Sequence, residues 1–273
     1  MTIDVTDLQS ENGGARPPDG HVDVLGCRID RLDMAGTIAR CLTAVQTRSF
    51  ASQMSVNVAK LVTLRDDPQL RQAVDGSDIV SADGLGIVWA SRLLGDPLPE
   101  RVAGIDLMHG LMAEAEQRGY SVYILGARSE VLEQAVNRLR DEYPSLRFAG
   151  WRDGYFADDE EPGVAQTIHD SHADLLFIAM SSPRKEYFLS RQGASMGVPF
   201  VMGVGGAIDV VSGITRRAPK RWQKLGLEWL FRLLQEPRRM LRRYATTNAR
   251  FLLVLSRELL RSRLRGARSP RKR

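Results

Sequence analysis

The 273-residue sequence contains two cysteines, Cys27 and Cys41, and four histidines. Neither a disulfide framework nor a metal-ligand spacing can be built from two such cysteines. No G-x-S-x-G elbow accompanies His21, His109, His169 or His172, which leaves serine-nucleophile catalysis without support. His169 and His172 stand three apart in a polar segment and read as solvated surface. The chain lacks a run of about 18 uncharged apolar residues, so no helix is expected to span a bilayer. It also lacks G-x-G-x-x-G and G-x-x-x-x-G-K-[ST], and with them the usual support for dinucleotide-dependent hydride transfer and P-loop hydrolysis. Neither an RNA-binding sheet pattern nor another nucleic-acid recognition module is recognisable, so no nucleic-acid partner is expected. Asp158-Asp159-Glu160 is the one acidic run that imitates a metal holder, and its polar setting reads as a solvated loop. No metal and no cofactor are expected.

What is present is an uneven distribution of charge. From Arg216 to Arg273 there are 16 Arg and 3 Lys against 3 Glu, a net of +16, while residues 1–215 carry a net of −11. An acidic body thus precedes a strongly basic piece suited to phosphates, whether of lipid headgroups, nucleic acid or a diphosphate substrate. Residues 1–20 are polar and rich in Gly and Pro, without an apolar signal core, and read as a mobile tail that leaves the protein in the cytoplasm.

Between these ends, short apolar runs alternate with helix-like stretches. The runs are SFASQMSVN (49–57), DIVSA (78–82), YSVYILG (120–126), LRFAG (146–150), ADLLFIAM (173–180) and PFVMGVG (199–205). Segments such as SEVLEQAVNRLRDEY return their apolar residues at three and four positions. This alternation predicts an α/β domain over 21–215, a Rossmann-like, mostly parallel sheet flanked by helices. Residues 216–273 form the appendage. LGLEWLFRLLQEP (225–237) is an apolar stretch that Pro237 separates from an amphipathic helix. On that helix Leu241, Ala245, Asn248, Leu252, Leu255 and Leu259 share one face, and Arg239, Arg243, Arg250, Arg257 and Arg261 the other. A helix packed on the body with a solvated arginine face and a helix docked on an anionic membrane both fit that pattern.

Three strand ends carry glycine-rich loops: ADGLG (82–86), LGARSE (125–130) and GVGGAID (203–209). Glycines let backbone N–H groups approach a phosphate, and a following helix N-terminus adds partial positive charge, though each loop taken singly reads first as a structural turn. In SADGLG, Asp83 follows an apolar strand. It can bond nearby N–H groups as a turn residue, or present a carboxylate to the crevice where α/β sheets bind ligands.

The ordered set SVN, ADGLG, RVAGIDL, YILG, GWRDGYF, SSPRKE, GVGGAID, RRAP and LEWLFRLLQEPRR resembles the WecG/TagA/CpsF glycosyltransferases over residues 22–255. The resemblance implies metal-independent, inverting transfer of a sugar from a UDP-sugar to a polyprenyl-diphosphate-linked sugar. N-acetylmannosamine is the favoured donor sugar, with glucose or a uronate as alternatives. It implies an enzyme peripheral to the inner face of the cell membrane. A non-catalytic nucleotide-binding protein is the rival reading. Self-association of the apolar appendage face is also expected.

Residue by residue, the resemblance makes Asp83 the general base and places Ser55 and Asn57 on the sugar or the base. It puts Arg101 on the diphosphate, and has Gly84, Gly126, Gly203, Gly205, Gly206 and Asp209 line the donor. Asp209 serves equally as a helix cap. Lys185 stands where the family carries Gln, a predicted substrate contact, so a cation enters the site. Arg232, Arg239 and Arg242 match the tail arginines that are expected to close over the active site.

Overall fold

The computed structural model describes residues 20–235 and 237–268; the predicted N-terminal tail lies outside them apart from Gly20. A hairpin of β1 (His21–Val24) and β2 (Cys27–Asp30) comes first, in antiparallel register from His21↔Asp30 to Val24↔Cys27. Its turn residues Leu25 and Gly26 both take positive φ, 56° and 83°, the backbone twist that suits a two-residue hairpin. The apolar runs predict no strands here, although Val22, Val24, Cys27 and Ile29 alternate inward as a half-buried strand pair should.

The body follows as α1 (Met34–Thr47), β3 (Ala51–Val56), α2 (Val58–Thr63), α3 (Pro68–Asp75), β4 (Ile79–Ala82) and α4 (Leu85–Leu93). It continues through α5 (Gly104–Arg118), β5 (Ser121–Gly126), α6 (Ser129–Glu142), β6 (Arg147–Arg152) and α7 (Glu161–Asp170). The last elements of the body are β7 (Leu175–Ala179), α8 (Arg184–Gln192), β8 (Phe200–Gly203) and α9 (Ala207–Val211). All six predicted strands are present. They form one sheet, ordered β4-β3-β8-β7-β5-β6, in which every pairing is parallel. The expected α/β, Rossmann-like class is the observed one.

Parallel strands covered on both faces read as continuous apolar runs, and all residues of β5 (SVYILG) and β7 (LLFIA) are buried. On one face Leu107, Met108 and Leu111 of α5 pack with Ile124, Phe177 and Phe200. On the other, Phe188 and Leu189 of α8 pack with Leu125, Ile178 and Val201. A third cluster joins the hairpin's Val22 and Ile29 to Leu61, Val80 and Ile87.

The basic segment is helical: α10 (Lys220–Lys224), α11 (Glu228–Gln235) and α12 (Pro237–Arg268). Among its described side chains, Phe251 and Leu255 are buried in the third cluster, with Val254 and Leu259 packed against it. Leu252, assigned to the inward face by the sequence pattern, is instead 62% exposed. Phe251 is the larger anchor, and seating it turns the inward stripe toward 251 and 255, one helical turn apart. Arg250 is tied to Asp66 at 2.7 Å. Asp158–Glu160 form an exposed 3₁₀ turn ahead of α7.

Candidate active site

Parallel sheets bind ligands beyond the carboxyl ends of their strands, and several predicted residues meet there. The Asp83 N–H bonds the Val56 carbonyl at 2.8 Å, and the Val102 N–H bonds the Ala82 carbonyl at 2.9 Å. These bonds join the ends of β3 and β4 to the loop that opens α5. Gly84 has φ 140°, a conformation side chains resist, and lets the chain swing from β4 into α4. α4 lies so close to α2 that a Cβ on Gly86 would come within 2.7 Å of Val58.

The point of convergence is Gly104, the first residue of α5. A methyl group there would stand 3.4 Å from Ser55 Oγ and 3.8 Å from Asp83 Oδ2. Ser55 and Asp83 therefore border one small space at the N-terminus of a 15-residue helix, whose partial positive charge favours a carboxylate. Ser55 Oγ accepts a 3.2 Å hydrogen bond from Gln53 Nε2, which also donates to Ser81 Oγ at 2.6 Å. Asn57 serves the fold directly, since its Oδ1 accepts the Lys60 N–H at 3.0 Å and caps α2.

The other side of the crevice is built by β8 and α8. The Lys185 side chain is 10% exposed, and its Nζ lies 3.2 Å from Glu186 Oε1. Lys60 Nζ approaches the same oxygen at 2.8 Å. A Cβ on Gly203 would meet Lys185 Cε at 2.9 Å, and one on Gly205 would lie 3.6 Å from its Nζ. The glycine loop thus makes room for the lysine. Burial, reinforced by the Lys60 charge, lowers the Lys185 pKa to about 8, against the pull of Glu186 and Asp83. Burial alone would raise the Glu186 carboxyl, but the two ammonium groups outweigh it and hold its pKa below the usual range.

Gly206 lies against Asp209, whose Oδ2 would be 3.5 Å from a Cβ on that glycine. Asp209 itself occupies the first turn of α9. Gly126, at φ 131°, has a packing reason: a Cβ would sit 2.4 Å from the Ala179 carbonyl carbon. Arg184 clasps the carbonyls of Gly154 and Phe156 and stacks over the Phe156 ring at 4.7 Å.

Arg101 pairs with Glu228, the first residue of α11, across 127 residues of chain. Arg217 grips Asp106 with both terminal nitrogens at 2.7 Å each, and its Nε lies 3.8 Å from Glu228 Oε1. The hydrogen bonds to Asp106 raise the Arg217 pKa, and the charges of Glu228 and Asp83 add to the effect. Burial raises the Asp106 carboxyl, yet Arg217 prevails and holds it below its ordinary value. Arg232 lies in α11, and Arg239 and Arg242 in α12, with their side chains outside the described residues.

Lys60, Glu186, Asp106, Arg217 and Glu228 receive no role from the sequence alone. Lys60 stands as a charge in apolar company within VAKLVT, while the others lie inside the segments SSPRKE, GIDL, RRAP and LEWL that carry the resemblance, with no local pattern that singles them out. Among the described residues no group of three or more His, Cys, Asp or Glu side chains is arranged to hold a metal. Comparison with protein families matches residues 22–265 to the glycosyl transferase WecG/TagA/CpsF family.

Proposed function

The chain belongs to the WecG/TagA/CpsF family of glycosyltransferases, and from that premise we propose that it moves a sugar from a UDP-sugar to a polyprenyl-diphosphate-linked sugar. The transfer is inverting and needs no metal. N-acetylmannosamine is the first candidate for the donor sugar. The observation that carries the reading is the meeting of Asp83 Oδ2 and Ser55 Oγ at Gly104, a position where even one methyl group would touch both.

A hydroxyl seated in that space puts its proton within reach of Asp83. As the acceptor oxygen bonds to the anomeric carbon, the proton passes to the carboxylate, and UDP leaves from the opposite face of the sugar. Such a base contributes about 10²–10⁴-fold. The N-terminus of α5 and the nearby Arg217 place positive charge beside Asp83. Cationic groups beside the departing diphosphate stabilise charge that grows in the transition state.

The appendage supports work at an anionic membrane surface. Leu252, Leu253, Leu260 and Leu264 are exposed, and Arg257 and Arg261 accompany them on α12. No described helix is long and apolar enough to cross a membrane, so the reading is of docking on the surface from the inner face. Arg232, Arg239 and Arg242 are proposed to complete the donor site, and the apolar face is also suited to self-association.

The test is UDP release in the presence of a short-chain polyprenyl-diphosphate N-acetylglucosamine acceptor. It is screened over UDP-N-acetylmannosamine, UDP-glucose and UDP-glucuronate, with Asp83→Asn in parallel. Acceptor-dependent release with one donor, lost in the variant while UDP still binds, supports the assignment. Release that survives Asp83→Asn removes the base, and binding without turnover across a wide acceptor screen returns the non-catalytic rival.

A further inference from the structure

We propose that Arg217 completes an anion subsite with Arg101, and that Glu228 is its built-in occupant, which the donor's diphosphate displaces. This rests on the reading of a nucleoside-diphosphate donor at this crevice.

The arrangement is asymmetric in a way that a purely structural ion-pair network would not require. Arg217 commits two nitrogens to Asp106, on the same helix whose first residue borders Asp83. Its third nitrogen, Nε, is buried and donates no hydrogen bond; the carboxylate it faces, Glu228 Oε1, stays at 3.8 Å. A buried donor without an acceptor is unfavourable. A tetrahedral phosphate offers oxygens in several directions, so one group can reach both this Nε and Arg101, which a single carboxylate does not do here.

The available space supports the same conclusion. With Glu228 in place, the cavity it forms with Ile105, Val210, Arg216, Arg217 and Ala218 measures about 20 Å³, about the size of one water. That space does not admit a diphosphate while the Glu228 side chain lines it. Arg101 directly precedes Val102, whose N–H bonds the carbonyl of Ala82 next to Asp83, and Arg217 is within electrostatic reach of Asp83. Exchange of one carboxylate for a more highly charged anion on the same two guanidinium groups is favourable, and it frees the start of α11 from the body.

Calorimetric titration of the full chain with UDP, uridine and inorganic pyrophosphate tests the exchange, using wild type, Glu228→Gln and Arg217→Lys. Glu228→Gln removes the competing charge and is expected to tighten UDP about three- to tenfold while leaving uridine unchanged. Arg217→Lys is expected to weaken UDP and pyrophosphate but not uridine. A variant-free arm follows backbone hydrogen exchange in the first turn of α11, which is expected to quicken in wild type when UDP is added. UDP affinity that is unchanged or weaker in Glu228→Gln, or α11 exchange that slows on adding UDP, overturns the proposal. Pyrophosphate that tightens in Glu228→Gln while UDP fails to bind upholds the exchange and removes the UDP donor instead.

Discussion

Lys60 Nζ lies 2.8 Å from Glu186 Oε1, an ion pair between α2 and α8 in which neither side chain is more than 7% exposed. Lys185 approaches the same oxygen, so two cations share one anion. This inequality makes the three positions behave differently when neutralised. Lys60→Met leaves Glu186 paired with Lys185, whereas Glu186→Gln leaves two buried ammonium groups facing each other. Breaking a buried pair costs about 3–5 kcal/mol when a charge is stranded. Denaturant unfolding is expected to place Glu186→Gln at or above that loss and Lys60→Met clearly below it. Equal losses would show that the two lysines are not alternatives for the one carboxylate.

The lowered pKa of Lys185 gives stability a pH signature. Its folded value is about 8, against 10.5 as the ordinary reference. Below pH 8 both folded and unfolded chains carry the proton, and the cost of the buried charge is fully present. Between about 8 and 10.5 the unfolded chain binds more protons, so this group's contribution to stability rises with pH. The melting temperature of wild type is therefore expected to gain on that of Lys185→Gln as pH is raised from 8 toward 10. Parallel melting profiles for the two proteins over that range would count against the buried charge.

Two glycines separate catalysis from folding. Gly104→Ala places a methyl at ordinary contact distance from Ser55 and Asp83. It is expected to leave the melting temperature unchanged or slightly raised, because alanine lowers unfolded-chain entropy by the equivalent of about 0.4–1 kcal/mol, while transfer falls sharply. Gly126→Ala, at φ 131° and 2.4 Å from the Ala179 backbone, is expected to lose stability first. Thermal melts and single-turnover rates on both variants decide this, and a fully active Gly104→Ala would mean that no substrate atom uses that space.

The appendage offers a second contrast on a single helix. Phe251 is buried and Leu252, its neighbour, is exposed. Phe251→Ala is expected to cost about 3–5 kcal/mol in unfolding experiments. Leu252→Ser combined with Leu260→Ser is expected to leave unfolding unchanged and reduce co-sedimentation with anionic phospholipid vesicles, since the lost apolar contact lies outside the fold. Vesicle binding that survives the double substitution would remove those leucines from the docking surface.

The sheet was readable because β-period and continuous apolar runs are local signals: six runs predicted six strands. The hairpin carries no such signal, although its inward residues alternate, because Leu25 takes a left-handed turn conformation usually left to Gly or Asn. In the candidate site, the place of Asp83 at the end of a strand draws attention to it, and the resemblance alone adds Ser55, which the fold brings to the same space. Arg217 and Glu228 were not legible, because what gives them meaning is a contact between residues 101, 106, 217 and 228, which no local pattern contains. The same reason explains why Leu252, on the apolar side of the wheel, faces outward on α12. A wheel shows which residues share a side, but the surface they dock on decides which side is turned inward.

The pairing of Ala51 with Phe200 also bears on how the chain comes into being. β3 and β8 are neighbours in space, yet about 150 residues of chain separate them, and a loop that long closes late and slowly. Ser55 and Asp83 lie on one side of this seam, and Gly203, Gly205 and Lys185 on the other. During synthesis the first half of the body can gather its helices and the β3–β4 pair while the crevice has only one wall. The second wall arrives when β8 inserts between β3 and β7, so the chain acquires its chemistry in the same step that completes its sheet. A nascent protein stalled before residue 200 would therefore be structured in part but without a place for either substrate.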